Sequence, residues 1–252
     1  MREQLPTPLS DTERLSWLML IRSENVGPMT FYRLLEQFGS AENAMAALPD
    51  LARQGGRRDY RPFPASQAET ELATLERMGA SLIGYTEPEY PPLLRAMEGA
   101  PPLISAKGAL HLLSRTTIAV VGARNASANG LGFARKLSTG LGRGGFGVQD
   151  VVIASGLARG IDAAAHQGAL ETGTIAVLAG GIDMVYPAEN TRLHDEIAER
   201  GVLLAEMSVG TKPTARLFPV RNRIISGLSR GVIVVEASPR SGSLITARTA
   251  LD

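Results

Sequence analysis

The chain has 252 residues, with 26 Lys and Arg against 25 Asp and Glu, so its formal net charge is only +1. Hydrophobic residues make up 44% of it and charged residues 20%, which is typical of a packed globular protein. The absence of Cys excludes disulfide scaffolds, thiolate metal sites and cysteine nucleophiles. Because the net charge is so small, any binding of a polyanion must depend on local clusters of basic residues.

The first residues are polar and contain prolines, and the apolar run at 17–21 is too short and too deep for a signal peptide. No stretch approaches about 20 uninterrupted apolar residues, so we expect no membrane span. The sequence therefore predicts a cytoplasmic protein.

Helical patterns fill the first third of the chain. Ser10 and Glu13 form a capping box, and the helix that they open should end near the turn at 25–28. A second helix should end at Gly39, and short helices are predicted at Ala41–Leu48 and Ala65–Met78. We expect Trp17 and Phe31 in the core of this part. The pattern predicts a small all-helical domain over residues 1–78.

After Gly79 the pattern alternates between strand, loop and helix. Strands are predicted at Ser81–Gly84, Thr117–Val121, Val151–Ala154, Thr174–Leu178, Val202–Ala205 and Gly231–Val235. Helices are predicted between them at Ala128–Leu141, Ile161–Glu171, Asn190–Arg200 and Arg221–Ser229. Strands that are buried on both faces, with helices between them, predict an α/β fold with a Rossmann-like, doubly wound and mostly parallel sheet over residues 79–252. The last helical pattern opens at 241–243 and is cut at Asp252, so we expect the native protein to continue.

Ligands bind at the carboxyl ends of the strands in such a sheet. Three of these ends combine Gly with Ser or Arg at a predicted helix N-terminus, namely 122–127, 155–160 and 240–243. Free backbone N–H groups at a helix N-terminus favour an anion such as phosphate. Ser155 and Gly156 are therefore candidate ligand contacts, although the glycines could equally serve only to make tight turns.

A basic segment strengthens the case for an anionic ligand. From Met207 to Gly231 the chain has no acidic residue and five basic ones, which are Lys212, Arg216, Arg221, Arg223 and Arg230. Arg124, Arg159 and Arg240 are expected along the same rim, which suits a polyanion better than a small metabolite. Arg159 has an alternative as a local ion pair with Asp162. Arg221 and Arg223 are expected at a helix start, where they would oppose the helix dipole, and this favours ligand contact.

Phe218 lies among these basic residues and either stacks on a base or packs in the core. Base–aromatic stacking is worth roughly 1–3 kcal/mol.

Enzymatic alternatives lack their motifs. The turn at 122–124 is not G-x-G-x-x-G, there is no G-x-x-x-x-G-K-[ST], and His111, His166 and His194 lack metal-ligand spacing. Glu206 and Glu236 follow strands and are either an acid/base pair or acceptors of backbone N–H bonds. We therefore predict no catalytic residue, no metal and no cofactor.

Several blocks, in order, resemble the DNA-processing protein A family (DprA, also called Smf). They are 120–124, 155–166, 180–183 with 186–190, 218–229, and 235–237 with 240–247. The resemblance implies a Rossmann-like domain that binds single-stranded DNA, forms a homodimer and contacts RecA recombinase, which it loads onto incoming strands during natural transformation. It also implies a small domain in front, similar to helix-hairpin-helix or sterile-alpha-motif modules.

The resemblance assigns the family's turn arginine to Arg124 and its FPxRNR segment to Phe218, Arg221, Asn222 and Arg223. The basic position upstream is either Lys212 or Arg216. The link at 144–150 is longer than is usual in the family. A phosphoribohydrolase-like enzyme of similar fold is the alternative, but its P-G-G-x-G-T-x-x-E block is absent after Gly180 and Gly181.

Overall fold

The computed structural model describes residues 6–147, 151–238 and 241–249. The chain forms two compact units, one from residues up to Pro88 with Glu98–Ile104, the other from Glu89–Met97 with the chain from Ser105 onward. These units do not test which segments fold alone, so the predicted division between residues 78 and 79 stays a prediction. Among the described residues no helix has the length and apolar character needed to cross a membrane.

The first unit is built around four helices and one strand. The helices are α1 (Asp11–Arg22), α2 (Pro28–Phe38), α3 (Ala41–Gln54) and α4 (Ala65–Arg77), and the strand is β1 (Ala80–Gly84). The capping box at Ser10 is present, and Gly39 ends α2 in the left-handed conformation that glycine adopts most readily. Trp17 and Phe31 are buried edge to face with ring centroids 5.0 Å apart, which confirms them as core residues.

The second unit contains most of the sheet. Its strands are β2 (Leu103–Gly108, in this unit from Ser105), β3 (Thr117–Gly122), β4 (Val152–Ser155), β5 (Thr174–Leu178), β6 (Val202–Ala205) and β7 (Val232–Val235). The helices are α5 (Pro92–Ala96), α6 (Ala128–Gly142), α7 (Ile161–Ala169), α8 (Thr191–Arg200), α9 (Leu217–Gly227) and α10 (Gly242–Thr249). Short 3-10 turns lie at Leu110–Ser114, Gly145–Gly147 and Ala188–Asn190.

These strands lie in the order β2-β6-β5-β4-β3-β7. All neighbours from β6 to β7 are parallel, and β2 alone among the paired strands of this unit runs antiparallel, to β6. The mostly parallel α/β fold is thereby confirmed. Helices α6 and α7 pack on β3 and β4 through small and branched apolar side chains such as Val120, Ala134, Ile153 and Ala165. Parallel strands buried in this way place their carboxyl ends, with the loops that follow, along one edge of the sheet.

Two differences from the sequence-based expectation matter. Strand β2 was not predicted, because its apolar residues follow the Pro101-Pro102 pair that reads as a connecting segment. Helix α9 begins at Leu217, four residues before the predicted start at Arg221. Pro219 does not prevent this, since proline fits the first helical turn, where its missing N–H has no intrahelical partner to lose. Arg221 and Arg223 therefore lie inside the helix and not at its first residue.

Candidate functional site

A small pocket opens at the carboxyl ends of β4 and β5. It is lined by Gly156, Leu178, Ala179, Gly180, Met184, Tyr186, Pro213 and Phe218. Gly180 must lack a side chain here, because a Cβ atom would lie 2.5 Å from the carbonyl oxygen of Thr211. The lining combines the aromatic rings of Tyr186 and Phe218 with apolar side chains and two glycines.

Arg221 fastens α9 to this edge of the sheet. Its side chain is buried, with 5% of the residue exposed, and Nη1 donates to the carbonyl oxygens of Gly156, at 2.6 Å, and of Val177. Nε also donates to Oδ1 of Asn222 at 3.1 Å. From the sequence, Arg221 is expected on the basic rim, but the residue is buried, because its guanidinium satisfies two strand-end carbonyls.

Charged and polar groups surround the Arg221 guanidinium inside the protein. Burial lowers the pKa of Arg221 to about 10, although the neighbouring Asp162 carboxyl opposes this, and the charge of Arg124 lowers it further. Burial raises the pKa of Asp162, against the charge of Arg221 and the N–H bonds from Ala158 and Gly156. The guanidinium still carries its proton at neutral pH, so this is a fixed positive charge beneath the pocket.

His166 lies in the same buried region and is neutral. Burial lowers its pKa to about 3, and the charge of Arg221 adds to that effect. The Thr174 hydroxyl donates to the carbonyl oxygen of Ile153 at 2.7 Å, so it must accept from His166 Nδ1, 2.7 Å away. The proton of the ring is therefore on Nδ1, and His166 packs as a neutral core residue.

Phe218 lies at the mouth of the pocket and is neither fully exposed nor part of the core. Its ring centroid is 5.6 Å from that of Tyr186, at an interplanar angle of 51°. The guanidinium carbons of Arg124 and Arg221 lie 5.1 and 5.8 Å from the same centroid, within cation–π range. Arg124 and Phe218, predicted from separate segments, are thus brought together.

Tyr186 lines the same pocket, and the sequence analysis did not name it as a candidate site residue. Its side chain is 47% exposed beside Phe218, although the residue had been noted only within a family block. The signal was its position in the loop after β5, because loops at the carboxyl ends of parallel strands converge.

The predicted basic residues fall into three groups. Arg124, Lys212 and Arg216 are exposed, and in the described part of the chain no carboxylate pairs with them. Arg159 and Arg223 are paired, with Glu189 (Nη2 to Oε2, 2.8 Å) and with Glu206 respectively. Arg159 does not pair with Asp162 as one alternative held. Arg240 lies outside the described residues.

Ser155 and Gly156 are buried, so their contribution is local. The Ser155 hydroxyl donates to the carbonyl oxygen of Val120 at 2.6 Å, which ties β4 to β3. Gly156 leaves no room for a Cβ atom, because the Arg221 guanidinium carbon would lie 2.5 Å away. Asn222 accepts from Arg221 and donates to the carbonyl oxygen of Gly242 at 3.2 Å. Contact with a ligand stays a prediction for all of these residues.

Some of the backbone N–H groups expected to bind phosphate are already bonded to acids of the chain. The Glu236 carboxylate accepts from the Ser127 N–H at 2.8 Å, at the start of α6. The Asp162 carboxyl accepts from Gly156 and Ala158, at 3.2 and 3.3 Å, ahead of α7. Glu236 was expected either to form an acid/base pair with Glu206 or to accept a backbone N–H bond, and the N–H bond is confirmed. Glu206 instead pairs with Arg223. In residues 6–147, 151–238 and 241–249 no His, Asp and Glu side chains cluster in a way that would hold a metal ion.

Comparison with known proteins identifies the family. Residues 81–252 match the family described as DNA recombination-mediator protein A, and residues 11–74 match the DprA-like N-terminal HHH domain. Protein Smf of Synechocystis sp. is 37% identical over 96% of this chain and 63% of its own length. Protein Smf of Escherichia coli is 43% identical over 75% and 50%, and the DNA processing protein DprA of Streptococcus pneumoniae is 47% identical over 86% and 76%. The chain thus spans between half and two thirds of the two Smf proteins.

Two solved structures are similar in fold. The DprA structure of Streptococcus pneumoniae has a TM-score of 0.74 and 35% identity, covering 97% of this chain and 84% of that one. The Helicobacter pylori DNA processing protein A, whose structure concerns its single-stranded DNA binding mode, has a TM-score of 0.61 and 29% identity, covering 68% and 75%. The helical first unit, the mostly parallel sheet and these matches together show that the chain belongs to the DNA-processing protein A (DprA/Smf) family.

Proposed function

We propose that the chain is a recombination mediator that binds single-stranded DNA at the carboxyl edge of its sheet. The observation that carries the proposal is the aromatic pair Phe218 and Tyr186, at the mouth of a pocket and beside the exposed Arg124. Aromatic faces stack on bases, and arginines contact phosphates, so the two chemistries of a strand are provided within one site. The Helicobacter pylori relative, described by its single-stranded DNA binding mode, supports the same ligand.

The residues divide by what they would contact. Arg124, Lys212 and Arg216 are exposed cations that are free to reach phosphates. Phe218 and Tyr186 offer their faces to a base at the mouth of the pocket, and Gly156 is a proposed contact beside them. Arg221 holds this arrangement from below, with Ser155 and Asn222. Arg159 and Arg223 reach DNA only by leaving their carboxylate partners, and Arg240 remains a proposed contact of the same rim.

The biological setting follows from the family. We propose that the protein works in the cytoplasm, protects incoming single strands, and helps to load RecA during natural transformation, as a homodimer. We propose no catalytic activity. The phosphoribohydrolase-like alternative needs a phosphate-binding block after Gly180 and Gly181, and here Asp183 instead accepts from the Gly210 N–H at 2.9 Å.

We predict that the protein binds a single-stranded oligonucleotide more tightly than the same sequence as a duplex. A duplex keeps its bases stacked and paired, so none can enter the pocket without the cost of opening. A gel-shift comparison at matched salt measures this, with nucleoside monophosphates added separately to detect base release. Equal affinity for the two forms, or turnover that tracks the purified protein, would contradict the proposal.

We predict that the double variant Arg124→Ala and Arg216→Ala stays folded but binds single strands more weakly. Each lost phosphate contact should flatten the slope of log affinity against log salt by about 0.7, so two should flatten it by about 1.4. The matched control is Arg143→Ala with Arg200→Ala, two exposed arginines that precede β4 and β6 at the opposite edge of the sheet. If both double variants show the slope of the unaltered protein, the strand lies elsewhere.

Arg221→Ala should behave differently, because it removes a buried cation from beneath the site. The carbonyls of Gly156 and Val177 and the Asp162 carboxyl lose their partner, which should lower the free energy of unfolding by about 3–5 kcal/mol. Urea unfolding measures this, with the exposed Arg216→Ala as the control that should change it little. An Arg221→Ala protein as stable as the unaltered one would show that the guanidinium is not needed for packing.

RecA contact and dimerisation rest on the family alone, and we predict both. Immobilised protein should retain purified RecA, and light scattering at micromolar concentration should give twice the mass of the 26.7 kDa chain. The Arg124→Ala and Arg216→Ala variant serves as the control, since loss of DNA binding should leave both measurements unchanged. A monomer, or RecA that passes through unretained, would count against these parts of the proposal.

A further inference from the structure

Carboxyl groups of the chain itself fill the places where a sheet of this kind ordinarily binds a phosphate. The clearest case is the N-terminus of α6, which follows β3, the strand between β4 and β7. There Glu236 accepts from the Ser127 N–H at 2.8 Å and from the Ser127 hydroxyl, and that hydroxyl in turn accepts from the Gly130 N–H at 3.0 Å. The carboxylate thus takes two donors of Ser127, its N–H and its hydroxyl, at a position where a phosphate would bind.

The backbone is shaped to put the Glu236 carboxylate there. Glu236 follows β7, the neighbour of β3, and has a φ of 51°, which is unusual for a residue with a side chain. The helix makes room as well, because a Cβ atom on Gly130 would lie 2.5 Å from the Glu236 carboxyl carbon. A strained residue and a matching glycine indicate a built contact, in which the carboxylate closes on the first turn of α6.

Two further carboxyl groups do the same at neighbouring loops. Asp162 accepts from the N–H groups of Gly156 and Ala158 in the loop after β4. Asp183, in the loop after β5, accepts from the Gly210 N–H at 2.9 and 3.1 Å. Backbone donors in the loops after β3, β4 and β6 are therefore already bonded to an acid of this chain.

We propose that Glu236, helped by Asp162 and Asp183, excludes phosphate monoesters from the edge of the sheet. The strand is then held by side chains through its internal phosphodiesters, and terminal phosphates and free nucleotides are refused. The binding of internal phosphodiesters rests on the proposed function, the binding of single-stranded DNA.

The charges of the two kinds of phosphate explain the selection. A phosphate monoester carries about −1.5 to −2 at neutral pH and seeks several N–H donors at once. At α6 it would meet the negative charge of Glu236, which already holds the N–H and the hydroxyl of Ser127. A phosphodiester carries a single charge, and a long arginine or lysine side chain can reach it from outside the loops.

The first experiment titrates the protein with inorganic phosphate and, separately, with adenosine monophosphate, and follows the amide signals of Ser127 and Gly130 by NMR. The unaltered protein should show no saturable shift. Glu236→Gly removes the carboxylate, and glycine suits the positive φ at this position. In this variant the amide signals of Ser127 and Gly130 should shift saturably with either probe. Glu236→Gln is the matched control, which keeps the side chain in place without its charge and should bind either probe more weakly than the glycine variant.

Saturable shifts in the unaltered protein, or none in a folded Glu236→Gly protein, would overturn the proposal. If the glycine variant does not fold, the titration of the unaltered protein still tests whether it excludes phosphate monoesters. Neither titration contains DNA, so the result is readable even if the protein fails to bind single strands.

The second experiment compares oligonucleotides with and without a 5′-phosphate. The unaltered protein should bind both equally, whereas Glu236→Gly should prefer the phosphorylated one by about threefold or more, the scale of one exposed charged contact. A preference for the 5′-phosphate in the unaltered protein would contradict the exclusion of monoesters. The absence of any preference in the folded glycine variant would contradict the role of Glu236.

Discussion

The candidate site depends on the hydrogen bonds that the buried guanidinium of Arg221 donates to the sheet. It joins the carbonyl oxygens of Gly156 and Val177, which end adjacent strands, to helix α9. Phe218 lies three residues earlier on the same helix, so the position of the aromatic face is fixed by a bond to the sheet and not by the surrounding loops. A planar group with five donors suits this task, because it can satisfy two carbonyls and still lie against a ring.

This arrangement divides the basic residues by their contacts. The charge of Arg221 is buried and stabilises the fold, and the charges of Arg159 and Arg223 are paired with Glu189 and Glu206. The exposed charges are those of Arg124, Lys212 and Arg216. A chain with a net charge of +1 can therefore present a local positive edge without a strongly basic surface elsewhere. Because exposed arginines are screened by salt while the buried one is not, the folding of the edge and its attraction for a strand should respond differently to ionic strength.

The sequence predicted the fold closely because its buried strands and capped helices are local patterns. Ser10 with Glu13, Gly39, and the apolar runs at 174–178 and 202–205 needed no tertiary information. Strand β2 and the true start of α9 were missed, since a proline pair and Pro219 imitate boundaries. For the candidate site, the sequence predicted that Arg124 and Phe218 lie along one edge, as the structure places them, but it could not tell a buried arginine from an exposed one. Arg221 and Arg216 look alike until the carbonyls that surround the former are seen.

Backbone N–H groups that are bonded to acids of the same chain are less available to a ligand, and this affects what the edge of a Rossmann-like sheet can bind. Backbone donors at helix N-termini sit at fixed positions and favour a small, highly charged group of one shape. Long cationic side chains and an aromatic face tolerate many positions of a flexible polymer and ignore its sequence, because every base has a face and every link a phosphate. In the proposed arrangement, Glu236 closes α6 against the first kind of recognition, and Arg221 supports Phe218 for the second.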